Sequence, residues 1–231
     1  MSVNDYIYTA QLSLFGDQEV CGFGCKEFYI KEIDRNLANK TIIKNHYSHK
    51  FYNASYIHLG VFISGEFLGV LQYGYAMNPA SGDSIVPGSG LKGYLELNRM
   101  WLDDKAPRNS ESRAISMTIK FIKRKYPLVR WIQSFADERC NCFGIVYQAC
   151  SFGFYGEHTA TFWTLEGQVY HNSLMTRNPK LSKSAKFLQE NKEKATSEVL
   201  RQFRYIKFFD KKAKAMCKLK EKPYLKYYKG E

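Results

Sequence analysis

Between residues 27 and 171, stretches with the two-residue alternation of strands trade places with stretches of helical spacing in a fixed order, and few folds accommodate that order. EFYIKEID (27–34) alternates as a half-buried strand, and RNLANKTIIKNHYS (35–48) spaces its apolar residues as a short helix. SYIHLGVFIS (55–64) and EFLGVLQYGYA (66–76) are β-rich runs joined through Ser64-Gly65, the signature of a tight antiparallel hairpin. NPASGDSIVPGSG (78–90) is rich in Gly, Pro and Ser and predicts a loop long enough to cover a site. GYLELNRMWLDD (93–104) is a further strand, followed by a helix capped by Asn109 or Ser110 that carries Ile115, Ile119 and Ile122 on one face. VRWIQSFAD (129–137) is a strand, CNCFGIVYQACSFGF (140–154) a helix closed by Gly153, and HTATFWTLEGQVYH (158–171) two strands about Glu166-Gly167. The order is β-α-β-β-β-α-β-α-β-β, which predicts an α+β fold with one mixed sheet flanked by helices.

The remainder of the 231 residues follows different rules. Residues 181–231 hold 15 Lys/Arg against 6 Asp/Glu, a surplus of nine in a chain whose net charge is +12. Phe203, Tyr205, Phe208, Phe209, Tyr224, Tyr227 and Tyr228 are interleaved with the lysines, so cations for phosphates and faces for bases occur together. Lys207, Lys211, Lys212, Lys214, Lys218 and Lys220 are the candidate nucleic-acid contacts. We expect an N-terminal segment (1–26), a catalytic domain (27–178) and a basic, aromatic-rich, helical C-terminal extension (179–231). Neither a membrane-length apolar run nor a signal-like start occurs, so a cytoplasmic protein is expected. The six cysteines lack the spacing of a structural zinc site and are expected to be free thiols, several of them buried.

Charged residues inside apolar strands are the strongest pointers to chemistry. Arg99 interrupts a strand that is otherwise largely apolar, where a guanidinium needs an anion. Asp137 ends the next strand, at the edge where α/β ligands bind, and is a natural partner for Arg99 or a cap for the following helix. His46 offers a neutral imidazole as proton acceptor, and Tyr47 a ring on which a base stacks. His46, His49 and Asp137 also make a two-histidine, one-carboxylate set that would suit iron.

HYSHK (46–50), LELNRMWLDDKAPRNSESRAIS (95–116) and SFADERCNCFGIVYQACSFGFYG (134–156) together resemble the Mom proteins of bacteriophages, over residues 27 to 171. The resemblance implies a GNAT-like acyltransferase fold, its sheet splayed between two central strands to hold the donor. It also implies conversion of adenine in phage double-stranded DNA to an N6-carbamoylmethyl derivative that protects against host restriction, the adenine being flipped from the duplex into an aromatic pocket. Tyr47, Phe51, Tyr52 and Tyr73 are the expected walls. Carried over motif by motif, the active-site roles fall on His46, Tyr47, Arg99, Asp137 and Tyr147, the last as a general acid, although the usual spacing places that acid at Ala149. Asn109, Ser110, Ser112 and Arg113 fall beside the donor. The donor loop reads PRNSESRA, without the glycines of acetyl-CoA enzymes, so acetyl-CoA and glycyl-tRNA stand level as donors, and the basic tail would hold tRNA as readily as DNA. A glycyl group on N6 is an isomer of the carbamoylmethyl group. The competing readings are a GNAT N-acetyltransferase acting on a protein or small amine, and a non-enzymatic DNA-binding module, for which no helix-turn-helix or zinc finger speaks. Oligomeric state is not legible.

Overall fold

The protein is represented by a computed structural model that describes residues 22–141 and 143–225, with the backbone of Ala10–Leu12 (β1) and Gln18–Val20 (β2) besides. Cys21, Cys142, Tyr227 and Tyr228 lie outside the described residues. The strands β3 (Gly22–Cys25), β4 (Phe28–Glu32), β5 (Ser55–Ile63), β6 (Glu66–Gly74), β7 (Tyr94–Leu102), β8 (Trp131–Asp137), β9 (Gly153–Leu165), β10 (Gln168–His171) and β11 (Thr196–Phe208) form one nine-stranded sheet in the order β10-β9-β11-β8-β7-β6-β5-β4-β3. Neighbours are antiparallel except for β7 and β8, which pair in parallel over three rungs only: Tyr94 with Trp131, Leu95 with Ile132 and Glu96 with Gln133. Beyond Glu96 the two strands part, and the hydroxyl of Ser134 bridges the opening by donating to the Leu97 carbonyl at 3.2 Å. An irregularity in β7, where Gln72 and Tyr73 of β6 face Arg99 and Leu97, inserts Asn98 as an extra residue beside the opening.

Two helices cover opposite faces of this region. α1 (Arg35–Asn45) is capped by Asp34, whose carboxylate accepts from the amides of Asn36 (2.7 Å) and Leu37 (3.3 Å), and it packs Ala38 and Ile42 on Val70. α3 (Ser110–Lys125) buries Ala114, Ile115, Thr118, Phe121 and Ile122, the one-faced spacing expected of it, and closes on Lys123, Arg124 and Lys125, whose charges suit a helix C-terminus. Its face holds the main core with Leu71, Tyr73, Leu95, Leu97 and Ile132. The hairpin turns fall where the sequence places them: Ser64 and Gly65 have φ of 51° and 87°, Glu166 and Gly167 of 50° and 73°, the left-handed pair that a two-residue hairpin needs.

The α+β class and the order of elements from β4 to β10 are those expected; four local assignments are corrected. Among the described residues, 179–225 are not a helical extension. They include short helices, α6 (Lys183–Glu190) and α7 (Lys211–Ala215), but their main element is β11, which enters the sheet between β8 and β9. Phe203, Tyr205 and Ile206 are buried in it, and its cations are satisfied from distant chain: Arg201 by Glu138, Arg204 by Gln133, Lys207 by the carbonyls of Cys150 and Ser151. The helix expected over 140–154 shrinks to a single turn at Glu138–Cys140 and α4 (Ile145–Ala149); Ser151 takes the positive φ and Gly153 begins β9. The first helix stops at Asn45, because His46 turns to extended backbone. The segment 78–90 folds a short α2 (Ser81–Ile85) onto the sheet, with Gly82 against the Tyr94 ring and Ile85 and Val86 buried, so it is packed structure and not a flap. α5 (Ser173–Thr176) completes the elements. No helix among the described residues is long and apolar enough to cross a membrane.

Candidate active site

The opening between β7 and β8 becomes a crevice on the α1 face, because the chain leaving α1 folds across it. His46 closes the helix through its own amide to the Ile42 carbonyl (3.0 Å), and the next residues are tied down from three sides. Tyr47 donates its hydroxyl to Asp137 at 3.5 Å, Arg99 donates to the Lys50 carbonyl at 3.0 Å, and the Lys50 ammonium donates to the Val169 carbonyl of β10 at 2.9 Å while lying 4.8 Å from the Tyr170 ring centre. His46, Tyr47, Arg99 and Asp137, far apart in sequence, therefore meet in one place.

Arg99 and Asp137 do not pair with one another. Arg99 spends its donors on the carbonyls of Lys50 and Asn98 (2.6 Å), and burial pulls its pKa down against the opposing pull of Tyr47 and Glu96. Asp137 takes the capping role instead: it accepts from the Arg139 amide at 3.0 Å and from the Arg139 guanidinium at 3.2 Å. Arg139 was not visible as a site residue in the sequence. Its guanidinium lies between the rings of Tyr47 and Phe162, 5.1 and 4.8 Å from their centres, and its Nε is buried without an acceptor.

His46 is buried, and desolvation together with Arg99, Arg139 and His49 lowers its pKa to about 4, so the ring is neutral at physiological pH. Its Nδ1 receives the Ser48 amide at 3.1 Å. A backbone N–H can only donate, so the neutral imidazole carries its proton on Nε2. In this tautomer Nε2 is a hydrogen-bond donor, whereas the sequence reading expected a proton acceptor at His46. Burial and the Asp137 charge raise the Tyr47 phenol above its ordinary range; the residue remains 52% exposed, while its ring contacts the His46 ring (4.2 Å between centres) and the Arg139 guanidinium.

Other expected positions separate from this group. Tyr147 is on the α3 face of β8: its hydroxyl is hydrogen-bonded to that of Ser134 at 2.9 Å and its ring packs on Phe152 and Tyr205 in the core. Tyr73 is wholly buried and bonded to Thr118, and so forms no wall of the crevice; Phe51 is exposed at its rim and Tyr52 lies 6.0 Å from Arg99. His49 turns away, its Nδ1 bonded to the Ile43 carbonyl, and no three His, Cys, Asp or Glu side chains among the described residues converge on a metal position. The iron trio His46, His49 and Asp137 is therefore not assembled.

Asn109, Ser110, Ser112 and Arg113 do share a site. They line a cleft of about 470 Å³ at the N-terminus of α3, completed by Phe28, Ser64, Arg108 and Ser116. Asn109 takes a left-handed φ of 68° as the cap residue, without a side-chain cap bond, a backbone conformation more often left to glycine. The first-turn amides of Glu111 and Ser112 fall where helix geometry leaves N–H groups without carbonyl partners. Arg113 is stacked 4.3 Å from the Phe28 ring centre, exposed on its outer side.

The basic tail lies elsewhere. β11 runs from Gln202 opposite Asp137 to Phe208 opposite Trp131, which carries the chain about 20 Å from the crevice before α7 begins. Lys207 is consumed by the Cys150 and Ser151 carbonyls and Lys214 pairs with Glu221 at 2.8 Å, whereas Lys211, Lys212, Lys218 and Lys220 are exposed. Of the interleaved aromatics, Phe203 and Tyr205 are core and Tyr224 is 44% exposed, with its hydroxyl bonded to the Phe152 carbonyl.

A mixed sheet splayed at one parallel pair, a bulge at the opening and a helix N-terminus facing a cleft define a GNAT-like fold. Residues 27–226 match the Mom protein family, and the chain belongs to it. The match reaches well past residue 171 and includes β11. A relative, the methylcarbamoylase mom of Escherichia phage Mu, is 48% identical over 196 residues, 85% of this chain and 81% of that protein. Solved structures with a similar arrangement include Arabidopsis thaliana NAA60 with a bisubstrate analogue (11% identity, 78% of this chain and 97% of that one, TM-score 0.49) and the ribosomal-protein-S5-alanine acetyltransferase of Vibrio fischeri (12% identity, 82% and 97%, TM-score 0.47).

Proposed function

We propose that this protein modifies adenine N6 in double-stranded DNA to the carbamoylmethyl derivative, with the crevice holding the base and the cleft at the start of α3 holding the donor. The observation that carries the reading is that the family match, residues 27–226, encloses every residue of both sites. Adenine N6 is half engaged in base pairing, so the base must leave the stack to react. The half-exposed ring of Tyr47 and the rim residue Phe51 offer it stacking surfaces. Arg99 and Arg139, desolvated around the opening, attract the phosphates that accompany a flipped nucleotide. The Nε2–H of His46 is suited to stabilise the oxygen of a carbonyl under attack.

The donor cleft favours a phosphate-bearing carrier of an activated acyl group. A phosphate would be held by the first-turn amides of α3, by Ser112 and by Arg113, and its acyl end would reach N6 through the opening beside Ser134 and Leu97. An acyl-CoA and a glycyl-tRNA both meet this description. DNA labelling by purified protein that survives complete RNA digestion would leave the acyl-CoA; labelling that stops would select the tRNA.

Mass spectrometry of nucleosides from DNA of cells expressing the protein tests the function. Adenosine heavier by one carbamoylmethyl group is expected with the intact protein and not with a folded Asp137→Ala variant. Unmodified adenine in the presence of the folded wild-type protein would refute the assignment.

A further inference from the structure

Glu96 occupies the last paired rung of β7 and β8, opposite Gln133, at the point where the strands part. Its Oε2 accepts from the Gln133 amide at 2.8 Å and its Oε1 from the Asn98 amide at 3.2 Å, Asn98 being the extra residue of the bulge. Arg99 from β7 and Arg204 from β11 face it, as do Tyr52 and Tyr94, yet none of them forms an ion pair with it among the described residues. Arg204 instead donates to Gln133 and lies 5.1 Å from the Phe135 ring centre. A desolvated carboxylate held by two neutral amides is an expensive way to join two strands. Stability alone gives no reason for it, and a neutral side chain at this rung would fold at lower cost.

We propose that Glu96 is the base that removes the proton from adenine N6. The proposal rests on the adenine-modifying reading above. The N6 lone pair is delocalised into the purine, so the amine reacts only if its proton leaves as the new bond forms. In that step the N6 lone pair makes the bond to the carbonyl carbon of a glycyl ester or thioester donor, giving N6-glycyladenine, an isomer of the carbamoylmethyl derivative that a rearrangement then reaches without gain or loss of atoms. The C–O or C–S pair departs with the oxygen or sulfur, and the N6 proton passes to the Glu96 carboxylate and from there to the leaving group, so that charge and atoms balance. The other groups nearby are engaged: His46 already holds its proton on Nε2, and Asp137 is bonded to the Arg139 amide, the Arg139 guanidinium and Tyr47. Burial raises the Glu96 carboxyl to about 6, which leaves it ionised at physiological pH but still basic enough to accept a proton.

The test compares wild type with Glu96→Gln and Glu96→Asp by nucleoside mass spectrometry of DNA from expressing cells. The purified proteins are checked by circular dichroism and by binding to an adenine-containing duplex. Glu96→Gln is expected to lower carbamoylmethyladenine by about 100-fold or more with fold and duplex binding unchanged, and Glu96→Asp to retain a measurable fraction. Modification by Glu96→Gln above about a tenth of wild type would overturn the proposal. Should the glutamine variant not fold, cleared lysate of wild-type-expressing cells, given the same duplex, carries the test. Its rate is expected to fall about tenfold per pH unit below about 6, and a rate flat down to about pH 5 overturns the proposal. Wild-type protein that leaves adenine untouched refutes the adenine reading itself, whereas an active wild type beside an equally active Glu96→Gln refutes only the role of Glu96.

Discussion

The crevice and the donor cleft flank the same parting of strands but are built in different ways. In the crevice the groups are desolvated and fixed: His46 is lowered to about 4 and held by Ser48, Glu96 is raised to about 6, Arg99 and Arg204 are pulled down by burial, and these last three each have a partner elsewhere in the fold. In the cleft Arg108, Asn109 and Arg113 are exposed, and the proposed grip is shared among a helix terminus, hydroxyls and two guanidinium groups. A site that depends on a few groups held out of water should fail when one is removed, and a site with a distributed grip should weaken by degrees.

Arg99→Ala offers the largest break in this contrast. It is expected to cost about 100-fold or more in modification, because it removes both a desolvated charge and the tie to Lys50, and nucleoside mass spectrometry reads it directly.

The next effect is on stability and follows from the signs of the shifts. The Glu96 carboxyl is raised from 4.5 to about 6, so the folded state is fully favoured at low pH and loses stability as pH rises through that window. Glu96→Gln should therefore be more stable than wild type at pH 8, by up to about 2 kcal/mol, and not at pH 4.5. Neutral His46, lowered from 6.5 to about 4, contributes the opposite slope: its stabilisation is complete above 6.5 and is lost as pH falls towards 4. Urea unfolding across pH measures both, and a glutamine variant less stable at pH 8 would contradict the strained carboxylate.

In the cleft, Arg113→Ala should raise the KM for the donor about tenfold with kcat nearly unchanged; an equal fall in kcat would place Arg113 in the chemistry. The smallest effect is expected from Lys211, Lys212, Lys218 and Lys220 changed together to Glu. Nucleic-acid binding should weaken and its salt dependence flatten, while modification at low salt persists, because these lysines lie at the far end of β11.

Much of this was legible in the sequence where the physics is local. The Ser64-Gly65 and Glu166-Gly167 turns need left-handed backbone, and the α3 stripe repeats at helical spacing. Asn109, Ser110, Ser112 and Arg113 fell together because they are neighbours on one turn. What stayed hidden depends on contacts between distant residues. β11 reads as a charged, solvated segment until Arg201, Arg204 and Lys207 are seen to meet Glu138, Gln133 and two carbonyls. Arg99 and Asp137 were each visible as charges in apolar strands, but their partners were not. Glu96 carried the same signal three residues before Arg99, and only the register of β7 with β8 shows why it matters.

Hydrogen exchange of the intact protein with an adenine-containing duplex tests most directly whether the crevice receives the base. Protection is expected in the segments around 46–54, 94–99 and 131–139, with 107–116 unchanged. Protection confined to 107–116 or to the lysines beyond β11 would contradict the assignment of the crevice to adenine.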